Sequence, residues 1–270
     1  MRTRRMTPHF AATLGTLAAL SLAGCGGGTN SVGPGGNTVS LVRAVNALQG
    51  CPANVDIEQA NVMPVPFQNL ASGAVPAGYT SLRAGNGLAY GVFATGTTKP
   101  AIASTNVDLV ARDPSGDPNS GHQTLVATGS CSGGAGVAAP QLLNLQDSFP
   151  FTFGGVNAGT VGLRVVNLIP DFNGGITLAS NGAPLHGTDD AGTNAVPYAS
   201  LGGFNGKHYN AGINLTGNPV LTIRTNANAI LATVPNFNFQ PNHAYTLFVI
   251  GRSNPPAGGQ PVTVVPVLDY

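Results

Sequence analysis

From residue 38 onward, short apolar runs alternate with polar and turn-forming clusters, and no stretch sustains the i, i+3, i+4, i+7 spacing of a capped helix. In the first half the runs fall at 39–48, 53–58, 79–83, 88–94, 101–111, 122–128 and 137–147. In the second they fall at 161–169, 176–180, 194–201, 207–215, 220–224, 229–234, 244–251 and 262–268. Gly, Pro and Asn clusters separate them, as expected of short strands joined by turns rather than of βαβ units. Tyr245-Thr-Leu-Phe-Val-Ile-Gly251 is the clearest strand, and Phe239-Gln-Pro-Asn-His243 reads as the turn feeding it. Pro266, inside the last run, predicts an edge strand or a bulge, because it has no N–H to give to a ladder. The fold class expected is all-β, of the Ig-like or β-sandwich kind.

The pattern repeats. Ser40-Leu-Val-Arg43-Ala-Val-Asn46-Ala-Leu48 returns as Val161-Gly-Leu-Arg164-Val-Val-Asn167-Leu-Ile169, an offset of 121 residues (164 − 43). Tyr79-Thr-Ser-Leu82 matches Tyr198-Ala-Ser-Leu201 at 119, and Tyr90 matches Tyr209 at the same distance. His122-Gln-Thr-Leu-Val126 matches His243-Ala-Tyr-Thr-Leu247 at about 121, and Leu145-Gln-Asp147 matches Val267-Leu-Asp269 at 122. Ordered matches at a nearly constant offset imply a duplicated domain. The expected division is 1–24 signal peptide, 25–37 Gly-rich tether, and two tandem sandwich domains at 38–150 and 158–270, each large enough for a core of its own.

Composition changes this picture little. Charged residues are 8% of the chain, against 38 Gly and 21 Pro, but regular apolar and β-branched runs argue against disorder. Without Arg2, Arg4 and Arg5, 8 Lys plus Arg face 10 Asp plus Glu, so the mature chain is near −2. No run of basic residues stands in the sequence to neutralise the phosphates of a nucleic acid, which is therefore not expected as a partner.

The N-terminus is the most informative segment. Three arginines, an apolar run from Phe10 to Leu22 and Leu22-Ala-Gly-Cys25 form the n-region, h-region and cleavage site of an export signal, too short for a permanent span. Leu-Ala-Gly-Cys resembles the lipobox of bacterial lipoproteins, which implies cleavage before Cys25, a diacylglyceryl group on its thiol and acylation of the new amine. More than one acyl chain anchors durably. Gly26-Gly-Gly-Thr-Asn-Ser-Val-Gly-Pro-Gly-Gly36 then reads as a flexible tether. No Asp follows Cys25, so in a Gram-negative cell sorting favours the outer membrane, facing the periplasm or the cell surface. Arg4-Arg5 hints at twin-arginine export, from which Met6-Thr-Pro8 departs, and the route stays open.

Candidate chemistry is sparse. Arg43 and Asn46, three apart on one strand, face opposite ways and read as a structural pair closing a loop or an edge. Asp113-Pro-Ser-Gly-Asp117-Pro-Asn119 spaces oxygens as calcium loops do, but Pro118 and Thr124 stand where the turn Gly and bidentate Glu belong, so a hairpin loop is expected. Gly134-Ala-Gly136-Val-Ala-Ala139 has the shape of a dinucleotide fingerprint without its strand–helix context. His122 and His243 are placed as equivalent turn residues before equivalent strands. With His186 and His208 they form no HxH, HxxxH or HExxH spacing, and His186-Gly-Thr-Asp189-Asp190 reads as a solvated loop. No Gly-x-Ser-x-Gly elbow occurs, and there is no Trp for a flat sugar platform. No catalytic residue, metal ligand or cofactor is assigned.

Leu163-Arg-Val-Val-Asn-Leu-Ile-Pro170, Pro241-Asn-His-Ala-Tyr-Thr-Leu-Phe-Val-Ile-Gly251 and Val267-Leu-Asp269 together resemble the bacterial "domain of unknown function 4397" family. The resemblance covers most of the second unit and, more weakly, the first, where His122-Gln-Thr-Leu-Val lacks the Tyr-Thr pair. It implies an exported, often lipidated protein with the domain in tandem, and brings no catalytic residues. Cysteine counting adds one expectation: with Cys25 lipidated, Cys51 and Cys131 remain as an even pair in an oxidising compartment, and are expected to form a disulfide. The reading is a non-catalytic, lipid-anchored envelope protein with a structural or interaction role, held to the membrane at Cys25 and with an envelope protein or a glycan as candidate partner. A glycan- or ligand-binding module is the first alternative, and a hydrolase assembled from distant loops the second.

Overall fold

The computed structural model of the chain describes residues 39–76, 78–97, 100–112, 121–147, 159–185, 195–199, 210–215 and 217–269. The chain is all-β, and sixteen strands among the described residues fall into four four-stranded sheets. The first half contains β1 (Val39–Gln49), β2 (Asn54–Gln59), β3 (Phe67–Ala71), β4 (Thr80–Arg83), β5 (Gly85–Ala94), β6 (Ala103–Leu109), β7 (His122–Ser130) and β8 (Gln141–Gln146). The second contains β9 (Val161–Leu168), β10 (Ile176–Ser180), β11 (Ala183–Pro184), β12 (Asn210–Ile213), β13 (Leu221–Thr225), β14 (Ile230–Thr233), β15 (Ala244–Ile250) and β16 (Thr263–Leu268). The run expected at 194–201 shows only a bridge at Val196 among its described residues. β3 and β11 fall outside the expected runs, being short and poor in apolar residues.

The halves repeat strand for strand. The order β4-β1-β7-β8 recurs as β12-β9-β15-β16, and β3-β2-β5-β6 as β11-β10-β13-β14. In both copies the two inner strands of the first-named sheet run parallel: β1 with β7, and β9 with β15. Gly129 and Gly251, 122 apart, share one role. Each has positive φ (106° and 119°), and a Cβ there would collide with the backbone of the returning loop at Ala139 or Pro261. Only glycine allows that approach. Pro266 sits on β16, an edge strand, as its missing N–H predicts.

Side-chain alternation then builds three apolar layers. Val42, Ala44 and Leu48 of β1 meet Val55, Ile57, Tyr90 and Val92 inside the first half. Leu163 and Val165 of β9 meet Ile176, Leu178, Ile223 and Leu247 inside the second. The opposite faces of the same strands supply a third layer, in which Val45, Ala47, Val126 and Leu145 pack on Val166, Leu168, Phe248, Ile250 and Val267. The sheets therefore stack four deep, with the two parallel-containing sheets back to back in the middle. Those strands are buried on both faces, which explains why β1 and β9 read as near-continuous apolar runs.

Candidate functional site

The middle layer contains the chain's densest cluster of described ionisable groups. Arg43 and Arg164 stand on the faces of β1 and β9 that meet there, while Asn46 and Asn167, three residues on, turn into the cores of their own halves. Each asparagine makes the same two bonds: its amide donates to a carbonyl (Leu70 at 2.9 Å, Val196 at 3.0 Å), and its oxygen accepts the N–H two residues on. Each arginine Nε donates to the threonine opposite it on the parallel neighbour, Thr124 at 2.8 Å and Thr246 at 3.1 Å. Those hydroxyls donate to the carboxylates that end the sheets, Thr124 to Asp147 at 2.5 Å and Thr246 to Asp269 at 2.6 Å.

The ion pairs cross between the halves. Arg43 Nη2 lies 2.5 Å from Asp269 Oδ1, and Arg164 Nη2 lies 2.6 Å from Asp147 Oδ1. Arg43 Nη2 is also 3.8 Å from Asp147. The Arg43 guanidinium lies between two rings, 5.0 Å from the centroid of Tyr79 and 5.4 Å from that of Phe248, one from each half. The Tyr79 hydroxyl donates to Asp147 Oδ2 at 3.1 Å.

Burial raises the pKa of both carboxyls, but their surroundings separate them. At Asp147, Arg164 and then Arg43, with the Thr124 hydroxyl, outweigh burial and hold the carboxyl below the usual range. At Asp269 burial prevails over Arg43 and Arg164, the charge on Asp147 adds to it, and the carboxyl is pushed up. Burial, then Asp147, drives the Tyr79 phenol far above its ordinary value. The side chains of Arg43, Asp147 and Asp269 are fully buried, and Arg164 is 8% exposed. Two cations and two anions cancel without an opening for substrate, so the cluster fastens one half to the other. Arg43 and Asn46 thus do not close an edge or a loop as a pair: Arg43 ties the two halves, and Asn46 ties the β3 end to β1.

The remaining flagged residues disperse. Cys51 and Cys131 form the expected disulfide, with Cα atoms 4.9 Å apart, across the ends of β1 and β7. The histidines are not equivalent. The ladders pair Leu41 with His122 but Gly162 with Ala244, so His122 matches Ala244, and His243 lies one residue earlier. A one-residue shift turns a side chain to the other face. His122 meets the Tyr79 ring edge-on at 4.9 Å, whereas His243, also half-buried, bonds the Pro241 carbonyl through Nδ1. The same register puts Gln123-Thr124 opposite Tyr245-Thr246, so the first copy keeps the threonine and lacks only the tyrosine. Gly134 to Ala139 lies in the loop between β7 and β8, not at a strand–helix junction. Cys25, the loop from Asp113 to Asn119, His186, Asp189, Asp190 and His208 lie outside the described residues.

Four surface clefts are better placed for contact with other molecules. One of about 380 Å³ combines Val220, Leu221, Phe237 and Phe239 with the amides of Asn218 and Asn236. A second, of about 690 Å³, lies between the β2–β3 loop and β4, lined by Val62, Met63, Val65, Leu82, Arg83 and Leu88. Its neighbour, about 280 Å³, shares Val62 and Met63 and adds Glu58, Tyr90 and Phe93. The fourth, about 450 Å³, combines Thr177, Thr225, Asn226 and Asn228 with Pro184 and Ala195. Neither His122 nor His243 lines any of these, and among the described residues no three His, Cys, Asp or Glu side chains converge. Sequence reasoning missed the Arg–Asp exchange. A signal for it existed: an arginine and an aspartate, opposite in sign, both recur in the two copies at offsets of 121 and 122. In comparisons with known proteins, the chain matches no family model and no curated protein.

Proposed function

We propose that this is a non-catalytic, lipid-anchored cell-envelope protein of two tandem β domains, 38–150 and 158–270, akin to the domain of unknown function 4397 family and serving a structural or interaction role. The observation that carries the reading is the use made of its buried charges. Arg43, Arg164, Asp147 and Asp269 neutralise one another, and Asp56 is taken up by the N–H groups of Asn69 and Gly96 and the hydroxyl of Thr95. These buried charges hold strands together, where a hydrolase would direct such groups into a cleft. The lipobox-like Leu22-Ala-Gly-Cys25 supplies the anchor, and the absence of Asp after Cys25 supports the outer membrane in a Gram-negative cell.

Replacing Cys25 by Ser tests the anchor. The protein should move from the detergent-soluble membrane fraction to a soluble or unprocessed form, and a Ser variant that still partitions with membranes after normal processing defeats it. A second reading, a glycan- or ligand-binding module, is favoured by the cleft at Phe237 and Phe239. Its rings sit beside the Asn218 and Asn236 amides with no charged group among the described lining residues, which suits a neutral sugar held against an aromatic ring. Glycan-array binding that falls on Phe237→Ala would favour it.

A further inference from the structure

Three features converge where the chain enters the fold. Val39, the first described residue, pairs with Arg83 on the edge strand β4, and its carbonyl accepts the N–H of Arg112 at 2.8 Å. Six arginines lie among the described residues. Arg43 and Arg164 are in the buried cluster, Arg252 is paired with Asp171, and Arg224 is bonded to Thr222 and Asn228. Arg83 and Arg112 are the two whose side chains enter no ion pair or hydrogen bond among the described residues, and they flank Val39 on either side. Arg83 also lines the 690 Å³ cleft beside Val62 and Met63. Of the six exposed large apolar side chains among the described residues, three lie here: Val62, Met63 at 81% exposure, and Val110, two residues before Arg112.

We infer that this end of the molecule is a membrane-docking face that rests on anionic lipid headgroups, with the Val62–Met63 loop dipping into the interface and Arg83 and Arg112 meeting phosphates. The inference rests on the reading of Cys25 as the anchor, because that anchor decides which way the molecule faces. Residues 25–38 span at most about 50 Å when fully extended, so an acylated Cys25 keeps Val39 within that distance of the bilayer. Lipid chains acting with a basic patch bind far more firmly than one signal alone, and each basic residue near an anionic leaflet adds to that hold. One carboxylate, Glu58, lines the neighbouring cleft, on the Tyr90 and Phe93 side and away from Arg83.

The chain has no tryptophan, so Met63→Trp introduces a single reporter. With Cys51 and Cys131 oxidised, Cys25 of the mature chain is its one free thiol and can be coupled to a maleimide lipid, making attachment independent of cellular processing. On vesicles of phosphatidylcholine mixed with phosphatidylglycerol, emission from the indole introduced at position 63 should shift to the blue and be quenched by brominated acyl chains. Ile230→Trp, on the outer sheet of the other half, should remain unquenched. Arg83→Gln with Arg112→Gln should lower the ratio of docked to undocked protein about 30-fold, the equivalent of about 1 kcal/mol for each basic side chain at an anionic surface. No quenching in the Met63→Trp protein, equal quenching at both positions, or quenching that survives the double arginine substitution would each overturn the docking face. The mass of Cys25 in protein taken from native membranes is read separately. An unacylated Cys25 with a docked position-63 indole removes the anchor and keeps the face, and an acylated Cys25 with an undocked indole does the reverse.

Discussion

Where β1 and β7 end, Cys51 is bonded to Cys131; where β9 and β15 end, at the matching place in the second half, Asp171 gathers the chain instead. Ser253 stands where an offset of 122 puts the counterpart of Cys131, and its N–H donates to Asp171 Oδ1 at 2.8 Å. The N–H of Asn254 donates to Oδ2 at 3.1 Å, and Arg252 lies 3.5 Å from the same oxygen. The two ties adjoin: Arg252 reaches Ser132 at 3.4 Å, and Ala138 donates to the Pro170 carbonyl at 2.8 Å. Two parallel strand ends thus need fastening in both copies, and the chemistry of the fastening is free to vary. A covalent tie ignores pH and salt but yields to reductant. A carboxylate held by backbone N–H groups ignores reductant and yields to acid.

The largest effect should come from what the copies share. Arg43→Met strands Asp269 in the middle layer and should cost about 3–5 kcal/mol in urea unfolding. Arg164→Met should cost less, because Arg164 is partly exposed and water can reach Asp147 through the space it leaves. Equal losses would show that the two halves of the cluster are interchangeable.

Removing the disulfide comes next. The loop of 80 residues between Cys51 and Cys131 gives on the order of 4.5 kcal/mol as an upper figure, and about 2–4 kcal/mol is typical. Cys51→Ser with Cys131→Ser should lower the denaturation midpoint by that margin, and reductant should then have no further effect. Asp171→Asn should cost about 1.5–3 kcal/mol, the range for hydrogen bonds to a charged acceptor. Burial raises the Asp171 carboxyl, but the Ser253 and Asn254 N–H groups and Arg252 outweigh it and hold it below the usual range. Its contribution is therefore complete above the ordinary aspartate value of about 4 and disappears as pH falls through the lower folded value. Protection against hydrogen exchange at Ser253 and Asn254, taken relative to the intrinsic rate at each pH, should fall in acid, while protection beside the disulfide should not.

The smallest effect is a difference in pH profile. Asp147, held low, stabilises the fold above about pH 4 and ceases to do so as it is protonated below that. Asp269, pushed up, takes a proton in the folded state before the unfolded one, so its protonation favours the fold as pH falls through its raised value. Asp269→Asn should accordingly cost less than Asp147→Asn at neutral pH and should remove the gain in stability on mild acidification. Thermal melts from pH 7 downward check both.

Much of the fold is legible because strands announce themselves locally. Fourteen of the sixteen strands coincide with apolar runs bounded by Gly, Pro or Asn, and β3 escapes because Phe67-Gln-Asn-Leu-Ala71 holds only two large apolar residues. The disulfide is legible by elimination, since two cysteines remain when Cys25 is set apart. The ion-pair exchange is not, although Arg43, Arg164, Asp147 and Asp269 all belong to segments that repeat between the copies. Their partners depend on which sheet faces which, and that is decided by stacking, not by spacing along the chain. The histidines show the complementary error: an offset misjudged by one residue is harmless in a loop but reverses the face in a strand.

The exchange of Arg43 with Asp269 and Arg164 with Asp147 has the reciprocity of a twofold interface, in which one surface meets its own image. A surface of that kind needs only one sequence to build both sides, and if its owners were separate chains it would hold only at sufficient concentration. Fusing two copies through about a dozen connecting residues replaces that dependence with an effective concentration in the millimolar range. The arrangement then survives at any dilution, which suits a molecule that works as a single unit. Each copy is also relieved of symmetry, so one could acquire a covalent bond and the other a carboxylate latch without either change having to appear twice.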